Sequence, residues 1–396
     1  MTNPIANTAR NALWLMFFVM GVVSMAWVPR IPEIKEANGL SDTQFGLVLI
    51  SSSVGAVVGA QLAGRLIHRF GSRPAMYFSA FVVPLGVVIM GLSNNAFALV
   101  IGLFVLGFSY AALDVGGNAQ GVAIEKLLAK GYMASFHGMW SLGTLASTIF
   151  GATVAYLLTP QQNLLIVAGV GFVVFLIAAR KLLPPSLDGH AGVNDEVTSN
   201  SVPWFALATL PLWFMGIGSA ASFIAEGAAA DWGALLLRDW MGIEKGFNAS
   251  AFATFGAAML ISRFLGDRWL ERFGAYRVVR YLGVGGGLVW GASILLGVWL
   301  SSESPLLALV IVNFGFFWAG IAIGPMFPAF IVGAAAIKGI APSIGIARVG
   351  VISIGAYFIG PSLVGILSDA ITLPLAMLYP ATALVIAGYL ARSLRS

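Results

Sequence analysis

Residues 64–73 read GRLIHRFGSR, and residues 266–277 read GDRWLERFGAYR. Each segment places an Arg-Phe-Gly triplet just after a long apolar run, once in each half of the chain. A basic segment that recurs at corresponding positions indicates an internal duplication. The sequence therefore predicts two structurally related halves.

Apolar runs fill most of the sequence on either side of these two segments. Of the 396 residues, 59% are hydrophobic and only 9% are charged, whereas a soluble domain carries about 25% charged residues. Runs of about 20 apolar residues are long enough to cross a bilayer as helices. We therefore predict an all-α membrane protein with twelve transmembrane helices in two pseudo-symmetric six-helix bundles.

The predicted spans divide at one long polar stretch that is rich in Pro, Gly and Ser, a composition typical of a linker. We predict an N-terminal bundle at 1–183, a cytoplasmic linker at 184–203 and a C-terminal bundle at 204–396. With ends accurate to a few residues, the spans cover 11–29, 44–66, 74–94, 97–122, 133–158, 163–182, 204–238, 248–269, 277–300, 305–332, 342–367 and 371–391.

Lys and Arg residues fall mainly on one side of these spans. With a cytoplasmic N-terminus, sixteen of the 21 basic residues lie inside, four lie outside and Arg348 lies within a span. Because cytoplasmic loops carry an excess of Lys and Arg, this distribution predicts that both termini are cytoplasmic. The net charge of +5 is spread over short loops, so the composition gives no support to nucleic-acid binding.

Three acidic residues, Asp114, Glu226 and Asp231, lie well inside predicted spans. A carboxylate is costly in lipid and marks a functional site by default. Burial penalises its charged form, so Asp114 and Glu226 are candidates for proton coupling. The simpler interpretation of Asp114 is a pairing that fixes helix packing. Asp231, near the outer end of its span, fits a structural role at the rim equally well.

Glycine and proline residues recur within the predicted spans. Glycines four residues apart form small grooves that allow close helix contact, and prolines inside a span can kink it. The glycine pairs are Gly55/Gly59, Gly117/Gly121, Gly283/Gly287 and Gly320/Gly324, and the prolines are Pro84, Pro325, Pro328 and Pro361.

The two basic segments resemble the signature loop of the major facilitator superfamily, G-x-L-x-D-R-x-G-x-R/K. The first segment has His68 at the aspartate position, whereas the second keeps acidic residues. In the superfamily this loop holds the cytoplasmic side closed when the carrier is open outward. Because only the second segment keeps acidic residues, its charges would contribute more to this closure. The resemblance implies a gating role for Arg65, His68, Arg69, Arg73, Asp267, Arg268, Glu271 and Arg272.

Two further segments, FHGMWSLGTL (Phe136–Leu145) and AEGAAADW (Ala225–Trp232), resemble a bacterial branch of this superfamily typified by the inner-membrane protein YbjJ. That branch is similar to the fucose permease group of proton–sugar symporters. In the superfamily helices 1, 4, 7 and 10 line the central cavity, and Asp114 and Glu226 fall on two of them. The candidate substrate-binding residues are Trp27, Arg30, Asn118, His137, Trp140, Asn313 and Trp318.

Two of the charged or titratable residues have simpler interpretations. His137, alone on its helix, fits a packed, hydrogen-bonded histidine better than a proton relay. Arg348 fits an inner-side structural ion pair slightly better than an anion-binding role or a cation that tunes Asp114. The three histidines are dispersed, so we predict no metal site.

These patterns favour a secondary active transporter that moves a small polar solute, such as a sugar or sugar-like metabolite, across the bacterial inner membrane with protons. A proton-driven efflux antiporter for amphipathic compounds fits the same features. A sensor is disfavoured because we find no sizeable soluble domain, and an intramembrane enzyme because G-x-S-x-G, H-E-x-x-H and cysteine are missing. We expect protons and lipids as partners, no cofactor, and a monomer.

Overall fold

The computed structural model describes residues 3–188, 209–337, 340 and 342–395. These residues form fifteen α-helices. The first seven are α1 (Pro4–Ser24), α2 (Ile31–Ala37), α3 (Asp42–Phe70), α4 (Ser72–Gly91), α5 (Ala96–Leu128), α6 (Met133–Thr153) and α7 (Pro160–Ala179). The others are α8 (Leu210–Leu235), α9 (Ser250–Phe273), α10 (Ala275–Leu300), α11 (Pro305–Ile323), α12 (Met326–Ala335), α13 (Pro342–Ile371), α14 (Leu373–Ala376) and α15 (Leu378–Leu390).

The helices have the length and composition of membrane spans. Among the described residues, eleven segments are long and apolar enough to cross a bilayer. The helix at the fifth predicted span, α6, has 21 residues but does not belong to those eleven. The prediction of an all-helical membrane protein is confirmed.

The chain divides into two compact units. One contains the described residues of 1–40 and 47–197, and the other those of 41–46 and 198–396. In the first unit α1 packs against α6 and α7, and α4 packs against α5 and α7. In the second unit α8 packs against α13 and α15, while α11 packs against α9 and α10. The limits of the linker at 184–203 stay a prediction, since 189–203 lies outside the described residues.

Proline breaks one predicted span and leaves two others continuous. The predicted helix at 305–332 ends at Ile323, and α12 begins after Pro325, because proline lacks the N–H that an α-helix needs and its ring clashes with the preceding turn. Pro84 and Pro361 lie inside continuous helices. The carbonyl of Pro361 accepts a hydrogen bond of 2.8 Å from Trp232 Nε1, which ties α13 to α8 at this proline.

Three of the four predicted glycine pairs lie where two helix backbones come close, whereas Cβ atoms at Gly117 and Gly121 would meet the side chains of Phe17 and Met133. A Cβ atom at Gly55 or Gly59 would overlap the backbone of α5 at Phe104 and Phe108. Small residues thus let two backbones approach each other directly. The same holds in the second unit, where Cβ atoms at Gly283 and Gly287 would overlap the backbone of α15, and those at Gly320 and Gly324 would overlap α9.

A buried polar network holds the chain that follows α7 against the start of α4. Asp188 is 2% exposed and accepts hydrogen bonds from the Ser72 N–H and hydroxyl at 2.6 and 2.8 Å. Gln120 of α5 donates to the Ser72 hydroxyl and exchanges hydrogen bonds with the backbone of Leu183. Fixed donors and the positive end of the α4 dipole stabilise the buried carboxylate. The buried acid Asp188 therefore lies beside the first signature loop, which has His68 where the superfamily usually has an aspartate.

We expect Asp188→Ala to destabilise the folded protein. The change leaves the Ser72 N–H and hydroxyl buried without their acceptor, which costs about 1–3 kcal/mol. The thermal unfolding midpoint of the purified protein should fall by about 3–8 °C. Glu303→Ala, which removes an exposed acid after α10, is the control. Equal midpoints for the two variants would show that the network contributes nothing.

Candidate functional site

The first unit brings together three residues that the sequence analysis names. Asp114 and Asn118 lie one turn apart on the same face of α5. Asn118 Nδ2 donates to the Asp114 carbonyl oxygen at 2.9 Å, and its Oδ1 lies 3.1 Å from Nε2 of His137 on α6. The Asp114 carboxylate also interacts with the Asn118 side chain and with the positive charge that His137 can carry. A carboxylate, an amide and an imidazole therefore form one polar cluster.

Aromatic residues border this cluster. Phe17 of α1 meets His137 edge-to-face with 5.2 Å between ring centroids, and it stacks on Phe136 at 5.8 Å. Among the described residues, no group accepts a hydrogen bond from the buried indole Nε1 of Trp140, one turn after His137. A buried indole N–H normally has a partner, so the Trp140 N–H is a donor without an acceptor among the described residues.

The second unit holds Glu226 in an ion pair. Oε2 of Glu226 on α8 lies 3.7 Å from Nη2 of Arg263 on α9, and the two side chains are 14% and 39% exposed. Tyr357 on α13 lies close enough to interact electrostatically with both Glu226 and Asp231. Since α8 packs against α9 and α13, two acids, a guanidinium and a phenol share one region of this unit.

Sequence reasoning missed two members of this cluster. Arg263 was one of the sixteen basic residues assigned to the inner side, but it lies inside α9 and inside a membrane span that covers Phe247–Gly266. A cation within an apolar helix is itself a signal of a buried partner. Tyr357 gave no signal, because its relation to Glu226 depends on how α13 packs against α8.

Two of the predicted substrate-binding residues are engaged within their own units. Arg30 is 1% exposed, and it bonds to Glu33 Oε1 at 3.1 Å and to the Leu158 carbonyl at 3.0 Å. Asn313 donates to Ser250 Oγ at 3.0 Å and accepts from Thr254 Oγ1 at 3.1 Å. These contacts give both residues a role in packing, and their substrate-binding role stays a prediction.

The remaining predicted tryptophans differ in exposure. Trp27 is 6% exposed, whereas Trp318 is 36% exposed. Trp318 lies edge-on to Phe314 and Phe317 of the same helix. The substrate-binding role of both residues stays a prediction.

The predicted gating residues lie at helix ends, and most of the described ones are exposed. Arg73 donates a hydrogen bond to the Arg180 carbonyl, which ties the start of α4 to the end of α7. The exposed members are Arg65, Arg69, Arg268, Glu271 and Arg272, while the side chains of His68 and Asp267 lie outside the described ones.

Arg348 is 8% exposed and lies beside Thr209, Trp213 and Ile352. In the part of the chain that the structure describes, no three His, Asp or Glu residues form a possible metal site.

Comparisons with known proteins agree with this architecture. The family model described as Major Facilitator Superfamily matches residues 13–344. An uncharacterised MFS-type transporter of Yersinia pestis is 26% identical over 363 residues, which cover 91% of this chain and 89% of the relative.

Solved transporter structures share the fold. A variant of the nucleoside transporter NupG has a TM-score of 0.76 at 12% identity and covers 98% of this chain and 100% of its own. A bacterial homologue of the human lysosomal transporter Spinster has a TM-score of 0.75 at 16% identity and covers 100% of this chain and 98% of its own.

Proposed function

Because this chain belongs to the Major Facilitator Superfamily of membrane transporters, we propose that it moves a small polar solute by alternating access and couples this movement to protons at Glu226. The observation that carries the proposal is the 3.7 Å pair between Glu226 and Arg263 inside apolar helices. Protonation of Glu226 removes the charge that attracts Arg263, and deprotonation restores it. Proton occupancy therefore changes the electrostatics that join α8 to α9.

The polar cluster of the first unit supports a hydroxyl-bearing solute, such as a sugar or sugar-like metabolite. Asn118 and His137 can donate to or accept from hydroxyl groups, and the Trp140 N–H has no acceptor among the described residues. Sites for small polar ligands combine a few such groups with aromatic walls, and the ring of Phe17 supplies one wall here. Asp114 is the second candidate for proton exchange.

We place the protein in the bacterial inner membrane with both termini cytoplasmic, as a monomer in the YbjJ-like branch near the fucose permease group. The excess of basic residues on one side of the predicted spans supports this orientation. The signature loops, at Gly64–Arg73 and Gly266–Arg277, support cytoplasmic gating.

Transport assays on the purified protein test the proposal. A screen of sugars and nucleosides for a raised unfolding midpoint identifies ligands, since a ligand at 100 times its Kd stabilises by about 2.7 kcal/mol. In proteoliposomes, an inward proton gradient should then drive accumulation of the hit, and a protonophore should abolish it.

Each other outcome identifies a different function. Accumulation driven only by an outward proton gradient would establish the efflux antiporter. Binding without flux under either gradient would overturn transport in favour of a sensor, and conversion of the hit without translocation would indicate an enzyme.

A further inference from the structure

A basic cleft of about 360 Å³ opens in the first unit where three helix ends meet. The start of α1 contributes Ile5 and Thr8, the start of α4 contributes Arg73, and the chain after α7 contributes Arg180 and Lys181. Since α7 packs against both α1 and α4, the cleft is built from elements of a single unit.

The charge of the cleft is positive throughout. Three of its eight lining residues are Arg or Lys, and none is acidic. Arg180 and Lys181 are exposed. The nearby acid Asp188 does not line the cleft, since it is buried and accepts hydrogen bonds from Ser72. Within the described residues neither Arg180 nor Lys181 forms an ion pair, so their charges are available to an anion.

The cleft lies at the ends of membrane spans. The span of α7 stops at Ala179, and the spans of α4 and α1 start at Ser72 and Pro4. Basic residues directly beyond an apolar span lie at the level of lipid headgroups. Ile5 is 55% exposed, which places an apolar surface next to the cations.

The corresponding helix ends of the second unit differ. There Arg395 lies 3.9 Å from the ring centroid of Tyr276, and Arg280 lies 5.1 Å from that of Tyr389. Aromatic rings thus engage cations at the start of α10 and after α15. In the first unit Arg73 also lies over a ring, with Cζ 5.8 Å from the centroid of Tyr77, whereas the exposed Arg180 and Lys181 line the cleft. The exposed pair distinguishes the first unit, and the second unit supplies a matched control.

We propose that this cleft binds the headgroup of an anionic phospholipid. Arg180, Lys181 and Arg73 hold the phosphodiester, because guanidinium and ammonium groups donate charge-assisted hydrogen bonds to phosphate oxygens. The acyl chains lie along the apolar surface at Ile5. Basic pockets between spans at the membrane surface are suited to such headgroups.

Native mass spectrometry of the purified full-length protein with phosphatidylglycerol tests this proposal. Each basic residue near an anionic lipid contributes about a factor of five in affinity, so Arg180→Gln/Lys181→Gln should bind phosphatidylglycerol about 25-fold more weakly. The matched variant Arg392→Gln/Arg395→Gln, with the same charge removed in the second unit, should bind like the wild type. Lys181→Gln alone should bind about five-fold more weakly and serves if the double variant does not fold.

Three results would overturn the proposal. An equal loss of phosphatidylglycerol binding in both double variants would show that the effect depends only on the net charge of the protein. Equal binding of phosphatidylcholine would remove the basis in headgroup charge. Inorganic phosphate that raises the unfolding midpoint as much as phosphatidylglycerol does would identify a free anion as the ligand.

Discussion

Glu226→Gln is expected to abolish proton-driven uptake while solute binding is retained. Glutamine keeps the shape of the side chain but carries no proton that can be exchanged, so the variant resembles the protonated carrier at every pH. It also loses the attraction between Glu226 and Arg263, which lie 3.7 Å apart. Because Arg263 is 39% exposed and lies within one turn of the end of its span at Gly266, its guanidinium can reach toward the interface, and the fold should survive.

Proteoliposome transport measures this prediction directly. Uptake by Glu226→Gln with a proton gradient should fall to the level without one, and solute exchange at equal concentrations should continue independently of pH. Glu303→Gln removes the charge of an exposed acid at the end of α10 and should leave driven uptake intact. Full gradient-driven accumulation by Glu226→Gln would refute the assignment of Glu226.

Gly107→Val should prevent stable folding of the first unit. A Cβ atom at Gly107 on α5 would overlap the carbonyl group of Ser52 on α3 and lie 2.9 Å from the Ser52 Cα. Both contacts are to backbone, so relief requires the two helices to move apart. Overpacking a core costs about 1–3 kcal/mol and occasionally more, and a rigid backbone contact belongs at the upper end.

The matched control for this prediction is Gly169→Val on α7. No heavy atom outside its own helix lies within 4 Å of a Cβ at Gly169, so valine there should be tolerated. Yield of monodisperse protein and the unfolding midpoint are the measurements. A Gly107→Val protein as stable as Gly169→Val would show that the α3–α5 contact adjusts freely.

Much of the fold was accessible from sequence, because each decisive signal is local. Apolar runs give the spans, and glycines four residues apart give the close contacts at Gly55 and Gly59. Proline shows the limit of local signals. Pro325 precedes a new helix while Pro361 lies within one, and nothing in the local sequence distinguishes the two outcomes.

The candidate site was accessible only in part. The cost of charge in lipid singles out Asp114 and Glu226, and four-residue spacing adds Asn118. The partners Arg263 and Tyr357 could not be assigned, because they lie on other helices and are brought near Glu226 only by packing. The hydrogen bonds of Asn313 to α9 were likewise invisible in the sequence.

Because the helix is interrupted before Pro325, the two parts of this membrane span are held with different rigidity. On one side of this interruption, a Cβ at Gly320 of α11 would overlap the backbone carbonyl of Phe255 on α9, an atom that cannot rotate out of the way. On the other side, α12 is a separate ten-residue helix with no continuous backbone ladder joining it to α11. Bending should therefore concentrate at this joint, where no helical hydrogen bonds resist a change in the angle between α11 and α12.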